Sequence, residues 1–270
     1  MGAILLKDIT SEGSRKDILI REGLISRIES SGSCADWDLA GDIEIMDCSG
    51  KVAIPGFVNM HTHSPMSLMR GLGEDMLFQQ WLDKIWKAEE SIGAEYVYWA
   101  TKVACIEMIK TGTTTFNDQY WFFDASVKAA SEMGLRIATG YDIIDRGDKE
   151  ESERQKAHCE MKSAPFLNGK TPGLIYGIAF HAIYSVREDM MLWAADYAER
   201  HDLNLHIHLC ETLKEIEDCK AVHGGLTPVE YLDRLGILSP RLVAAHTLWV
   251  TPHDIELLAA NGVHCVHNIN

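Results

Sequence analysis

The chain is 270 residues long, 46% hydrophobic and 24% charged, with a formal net charge of −15 at neutral pH. That composition belongs to a folded protein with ample material for a core and excludes disordered and fibrous classes. The acidic excess repels phosphate backbones and anionic lipid, and no basic block offsets it, so neither nucleic acid nor a membrane surface is an expected partner.

Residues 1–55 alternate in short β-like stretches, ILLKDI, DILI, LISRIES and IEIMD, broken by turn material at Arg21-Glu22-Gly23 and Cys48-Ser49-Gly50. They predict a small N-terminal β-domain. From Val52 the character changes to short β-branched runs alternating with helical segments, the mark of parallel βαβ units. Strands are expected near 57–62, 112–118, 136–142, 174–180, 204–209, 242–246 and 263–267. A helix over 94–111 puts Val97, Ala100, Ala104 and Met108 on one face, with its Tyr and Trp residues as packing, and stops at Gly112. The charged run 145–156 reads as an exposed loop or helix start. Ser185 with Glu188 and Thr227 with Glu230 read as capping boxes, the second with Pro228 in the first helical position. Thr251 and Pro252 open a further helix, closed by Gly262.

The N-terminus has no signal-peptide pattern, and no apolar run approaches about 18 residues, so neither export nor spanning is expected. Seven cysteines without a CxxC pair suit neither a disulfide framework nor a thiolate zinc site, and predict a reducing, cytoplasmic setting.

Of twelve histidines, His61, His63, His181, His208 and His246 stand at or just past the C-terminal ends of expected strands, where a (β/α)8 barrel carries its active site. His61 and His63, two apart on extended chain, project to one face and can meet one metal. His206 and His208 repeat the spacing, and only one of them need be a ligand. There is no HExxH, PCxxC, GxSxG or GxxxxGK[ST] to suggest other chemistry.

The stretch Asp47-Cys-Ser-Gly-Lys-Val-Ala-Ile-Pro-Gly-Phe-Val-Asn-Met-His61-Thr-His63 resembles the amidohydrolase superfamily. Further matches run in family order: His63-Ser-Pro-Met-Ser-Leu-Met-Arg-Gly, Trp81-Leu-Asp-Lys-Ile-Trp, Thr113-Thr-Thr-Phe-Asn-Asp118, Gly177-Ile-Ala-Phe-His181, His208-Leu-Cys-Glu211 and Ala244-Ala-His246. These are similar to the methylthioadenosine/S-adenosylhomocysteine deaminase branch and cover nearly the whole chain. The resemblance implies an α/β fold: a (β/α)8 TIM-type barrel over 56–270, incomplete with about seven strands, and part of a small β-sandwich over 1–55. It implies one divalent metal, zinc or alternatively iron, on His61, His63 and His208, which selects His208 over His206.

It also implies hydrolytic deamination of an adenosine-type nucleoside. Glu211 would shuttle the proton and His246 would bond the attacking water and developing oxyanion. His181 would contact base or ribose, and Glu89, with Glu90 the alternative, the ribose hydroxyls. Branch members that take S-adenosylhomocysteine carry an arginine at the end of strand three; that position reads here as Tyr141, with Arg146 or Arg154 in the loop after it. Small uncharged 5′ groups are therefore the expectation. Other readings are deamination or dechlorination of another heterocycle such as guanine or an s-triazine, and a catalytically silent protein. The family continues to an eighth strand with a metal-binding aspartate, whereas this sequence stops at His267-Asn-Ile-Asn270. The expectation is a longer natural protein and a 270-residue form that is not a competent catalyst, with open strand edges that invite association, a homo-oligomer included.

Overall fold

The computed structural model describes residues 2–37, 42–167 and 171–268; Ile269 and Asn270, which follow the expected strand at 263–267, lie outside them. The chain divides into two compact units, Met1–Gly56 and Phe57–Asn270.

In the first unit, strands β1 (Ala3–Ser11), β2 (Ser14–Arg21), β3 (Leu24–Ser30) and β4 (Ile43–Asp47) form one sheet in the order β3-β2-β1-β4. β1–β2 and β2–β3 are antiparallel, and β4 runs parallel to β1. Both hairpins close in two residues, Glu12-Gly13 and Glu22-Gly23, with all four φ angles positive. That is the turn whose twist matches the strands, and glycine takes one of its two left-handed places without steric cost. Leu5, Leu19, Cys34 and Trp37 pack on one another, as do Ile9, Ile18 and Cys48.

The second unit holds seven strands: β5 (Phe57–Thr62), β6 (Thr113–Asp118), β7 (Arg136–Ile143), β8 (Leu174–Phe180), β9 (Asn204–Leu209), β10 (Leu242–His246) and β11 (His264–Val266). They form one sheet in sequence order, every neighbouring pair parallel. The sheet curls almost onto itself: the rings of His61 on β5 and His246 on β10 lie 5.1 Å apart. β5 and β11 are its edges, and no further strand pairs with them among the described residues.

Helices alternate with the strands: α1 (Phe78–Glu89), α2 (Ala94–Lys110), α3 (Phe123–Met133), α4 (Lys149–Leu167), α5 (Glu188–Arg200), α6 (Leu213–Val222), α7 (Pro228–Arg234) and α8 (Pro252–Ala260). Each buries a stripe at helical spacing. On α5 these are Met190, Met191, Ala194, Tyr197 and Ala198, against Phe180, Leu205 and Ile207 of the strands. None among the described residues is long and apolar enough to cross a membrane.

β7 shows how the strand period sorts side chains. Ile137, Tyr141 and Ile143 pack into the hydrophobic clusters behind the sheet, so Ala138, Gly140 and Asp142 take the opposite face. A Cβ on Gly140 would sit 1.7 Å from the Gly177 carbonyl oxygen, so β7 and β8 approach this closely only because that position is glycine.

Three local expectations change. Ser185 does not cap α5: the helix starts at Glu188 with Arg187 as its N-cap, Ser185 Oγ lies 2.8 Å from His181 Nδ1, and Glu188 accepts from Tyr231 Oη at 2.9 Å. Trp99 on α2 is 55% exposed rather than packed, because it falls outside the Val97, Ala100, Ala104 stripe. Asp145, in the charged run, is buried and accepts from Gly147 N, Ser152 Oγ and Arg187 N. The box at Thr227 and Glu230 is reciprocal, and Thr251 makes a second one with Asp254.

Candidate active site

The strand ends surround a cavity of about 330 Å³ lined by His61, His63, His181, His208, His246 and Glu211 on one side and by α1 on another. The α1 residues lining it, Phe78, Trp81, Leu82, Ile85, Trp86 and Glu89, recur at steps of three, one, three, one and three. That is a single helical face. The apolar stripe of α1 roofs the cavity, and its last member is a carboxylate.

Three imidazoles converge at the strand ends, with one ring nitrogen from each of His61, His63 and His208 within 4.8 Å of the others. Their tautomers are set from behind. His63 Nδ1 lies 2.6 Å from the Gln119 carbonyl oxygen and His208 Nδ1 lies 2.8 Å from that of His181. A carbonyl only accepts, so both Nδ1 atoms carry the proton and both Nε2 atoms present lone pairs. The same tautomer at His61 makes its Nδ1–H the donor to His206 Nε2, 3.1 Å away.

The Nε2 atoms of His63 and His208 face each other at 3.1 Å. Two lone pairs at that range repel unless a cation lies between them, and tetrahedral zinc with bonds of about 2.0–2.1 Å holds its nitrogens about 3.3 Å apart. The donor set therefore fits a divalent metal. Burial first, then the neighbouring imidazoles, hold His61 and His208 well below the usual range; burial also lowers His63. All three are neutral at pH 7, as ligation requires.

Glu211 follows His208 after a turn that puts Cys210 at φ 55. The buried Glu215 carboxylate accepts the backbone N–H groups of Cys210 and Glu211, at 2.9 and 2.8 Å, and holds the turn. Burial, then repulsion from Glu215, raises Glu211 to about 7. Its Oε1 stands 3.6 Å from His246 Nε2, too far for a hydrogen bond, and both groups line the cavity. Burial lowers His246 to about 4, so the contact is not an ion pair. Asn268 Nδ2 lies 3.2 Å from His246 Nδ1 and holds the ring with Nε2 toward Glu211.

His181, lowered to about 3 mainly by burial, lies against both His208 and Trp86, with centroids 4.7 and 6.0 Å away. Glu89 is 7% exposed, lines the cavity and accepts from Tyr120 Oη at 2.6 Å, whereas Glu90 is exposed and does not line it. Burial raises the Glu89 carboxyl.

Tyr141 does not line this cavity. Its ring packs against the hydrophobic cluster and its hydroxyl lies 3.0 Å from His158 Nδ1, and it lines an adjoining cavity of about 470 Å³ together with Glu89, Tyr120 and Asp142; Asp142 lines both cavities. Arg154 pairs with Glu151, while Arg146 lies over the Trp86 ring at 4.7 Å. Asp142, Gln119 and Tyr120 carry no motif and escape a reading by motif; the two-residue period of β7 is the signal that could have found Asp142.

The family model of the Amidohydrolase family matches residues 52–269. A 5′-deoxyadenosine deaminase of Methanoregula boonei is 42% identical over 225 residues, covering 83% of this chain and 51% of the relative. A 5-methylthioadenosine/S-adenosylhomocysteine deaminase of Thermococcus sibiricus is 37% identical over 256 residues, covering 94% of this chain and 58% of the relative. The chain thus spans little more than half the length of these curated relatives. The crystal structure of an adenosine deaminase from Xanthomonas campestris with bound zinc superposes with a TM-score of 0.84 at 29% identity, over 98% of this chain and 62% of that one.

Proposed function

This chain belongs to the amidohydrolase family, and on that premise we propose that the protein is a metal-dependent deaminase of adenosine-type nucleosides, of the 5′-deoxyadenosine, methylthioadenosine and S-adenosylhomocysteine class. One observation carries the reading: three neutral histidines with a common focus, a carboxyl poised near neutrality and a neutral His246 share one end of a cavity that Glu89 borders. The relatives named for these substrates support it.

His61, His63 and His208 would hold the cation, zinc or alternatively iron, which supplies the Lewis acidity that makes water a nucleophile near neutral pH. Glu211 takes a proton from the attacking water and passes it to the purine ring nitrogen, then carries the second proton, from the oxygen now bonded to C6, to the departing amine. The C6–O bond forms, the C6–N bond breaks, and ammonia leaves. A carboxyl with a pKa of about 7 suits both halves of that transfer. His246, fixed by Asn268, bonds the attacking water and the oxygen as it gains charge. Glu89 accepts from the ribose hydroxyls, and the Trp86 and His181 rings border the base and sugar.

The test is to incubate the full-length, zinc-loaded protein with 5′-deoxyadenosine, methylthioadenosine, free adenine and guanine, and to measure ammonia. Release from the nucleosides and not from the free bases is expected. Release from guanine alone, or from nothing, overturns the proposal.

A further inference from the structure

The cavity has a second polar wall, which adjoins His63 through the Gln119 carbonyl. Asp142, last but one in β7, lines it, and its carboxylate Oδ1 accepts from Gln119 Nε2 at 3.0 Å. Turning its amide nitrogen to Asp142 leaves Gln119 Oε1 buried with no donor among the described residues. Glu89 is close enough for its charge to act on Asp142, and one Glu89 oxygen is taken by Tyr120. Both side-chain donors here, Gln119 Nε2 and Tyr120 Oη, are taken by these carboxyls, so what the wall offers a ligand is the two carboxyls. Burial raises Asp142 to about 7, with Glu89 and Asp118 adding to it, and either ionisation state leaves an acceptor oxygen on the carboxyl. A cation does approach from the rim, where exposed Arg146 lies over Trp86 and acts on Glu89.

We propose that Asp142, backed by Gln119, is the specificity-determining residue for the 5′ substituent, admitting hydrogen-bond donors and cations and disfavouring carboxylates. The inference rests on the nucleoside reading above. With the base at the histidines and Glu211 and the ribose hydroxyls at Glu89, Asp142 is the remaining carboxyl that lines the cavity. A hydroxyl or ammonium there finds an acceptor that has room for it. A carboxylate meets two carboxyls, and like charge beside partly buried groups is costly. A 5′-methyl or thioether group satisfies nothing in the wall and is tolerated.

The test uses ligands that cannot be deaminated, so that binding is read apart from turnover. Inosine, 5′-deoxyinosine, 5′-amino-5′-deoxyinosine and inosine-5′-carboxylate are titrated calorimetrically into the full-length, zinc-loaded protein. The 5′-hydroxyl and 5′-amino ligands are expected to bind about tenfold more tightly than 5′-deoxyinosine, the worth of one net hydrogen bond, and the carboxylate at least tenfold more weakly. In Asp142→Asn, whose amide can donate, the ratio of carboxylate to hydroxyl affinity should rise about tenfold; in Arg146→Ala it should fall or stay level. Affinities within twofold across the series in the unmodified protein, or carboxylate binding tightest, overturn the inference and leave the nucleoside reading standing. The expected order together with no ammonia release from any adenosine overturns the reaction and leaves the inference standing. No binding of any nucleoside overturns both.

Discussion

Replacing Glu211 by Gln should move activity and stability in opposite directions. The side chain is 22% exposed and its carboxyl is raised from 4.5 to about 7 by burial and by Glu215. The folded state then holds the Glu211 proton more firmly than the unfolded chain does, by about 3 kcal/mol at about 1.4 kcal/mol per pKa unit. The native state binds more protons than the unfolded state between pH 4.5 and about 7, so this contribution is full below 4.5 and is lost as pH rises through 7. Gln keeps the volume, never ionises and escapes that loss. Metal-stripped Glu211→Gln should therefore gain on the unmodified protein in denaturant melts by about 1 kcal/mol at pH 5 and by up to about 3 kcal/mol at pH 8. Activity goes the other way, because an amide cannot take up a proton and return it. The full-length variant should keep its zinc and lose turnover by about 10²–10⁴-fold, some 3–5 kcal/mol of barrier. Equal stability differences at pH 5 and pH 8 would refute the electrostatic argument, and undiminished turnover would refute the proton-transfer role.

Alanine in place of His61, His63 or His208 should lower bound zinc below one per chain by atomic absorption, since each removes a neutral ligand from a set of three; full stoichiometry in all three variants would sink the assignment. Glu89→Gln should raise KM for ribonucleosides about tenfold with a smaller change in kcat, because an amide is the weaker acceptor for two hydroxyls; the kcat effect exceeding the KM effect would place Glu89 in the chemistry. Thr227→Ala should cost about 1–2 kcal/mol in urea melts, losing the reciprocal cap of α7 and the hydroxyl that bonds buried Asp254. A loss under about 0.3 kcal/mol would show the box to be ornamental.

Elements with a strong local signature were readable from the chain. Each of the seven barrel strands lies within about a residue of its expected position, because β-branched runs bounded by helical stretches admit few alternatives. The histidine pairs were legible for the same reason: His61 and His63 share a face by strand period alone. What failed turned on contacts between segments distant in sequence. Tyr141 lines the adjoining cavity only, whereas Asp142, one position on, lines both. The bulky residues at 137, 141 and 143 mark the back only once the helices behind β7 are in place. Ser185 has the sequence of a cap, yet its hydroxyl lies against His181, a partner that only the strand-end turn supplies. The backbone carbonyls of Gln119 and His181, which set the ligand tautomers, leave no mark in the sequence because every residue has one.

The most direct test of a zinc-dependent nucleoside deaminase built on His61, His63 and His208 is a metal titration. The full-length protein is stripped of metal, zinc is added in steps, and ammonia released from 5′-deoxyadenosine is recorded at each step. The account predicts no release from the stripped protein and a linear rise that breaks at one zinc per chain. Full turnover without metal, or none at any zinc level, would contradict it.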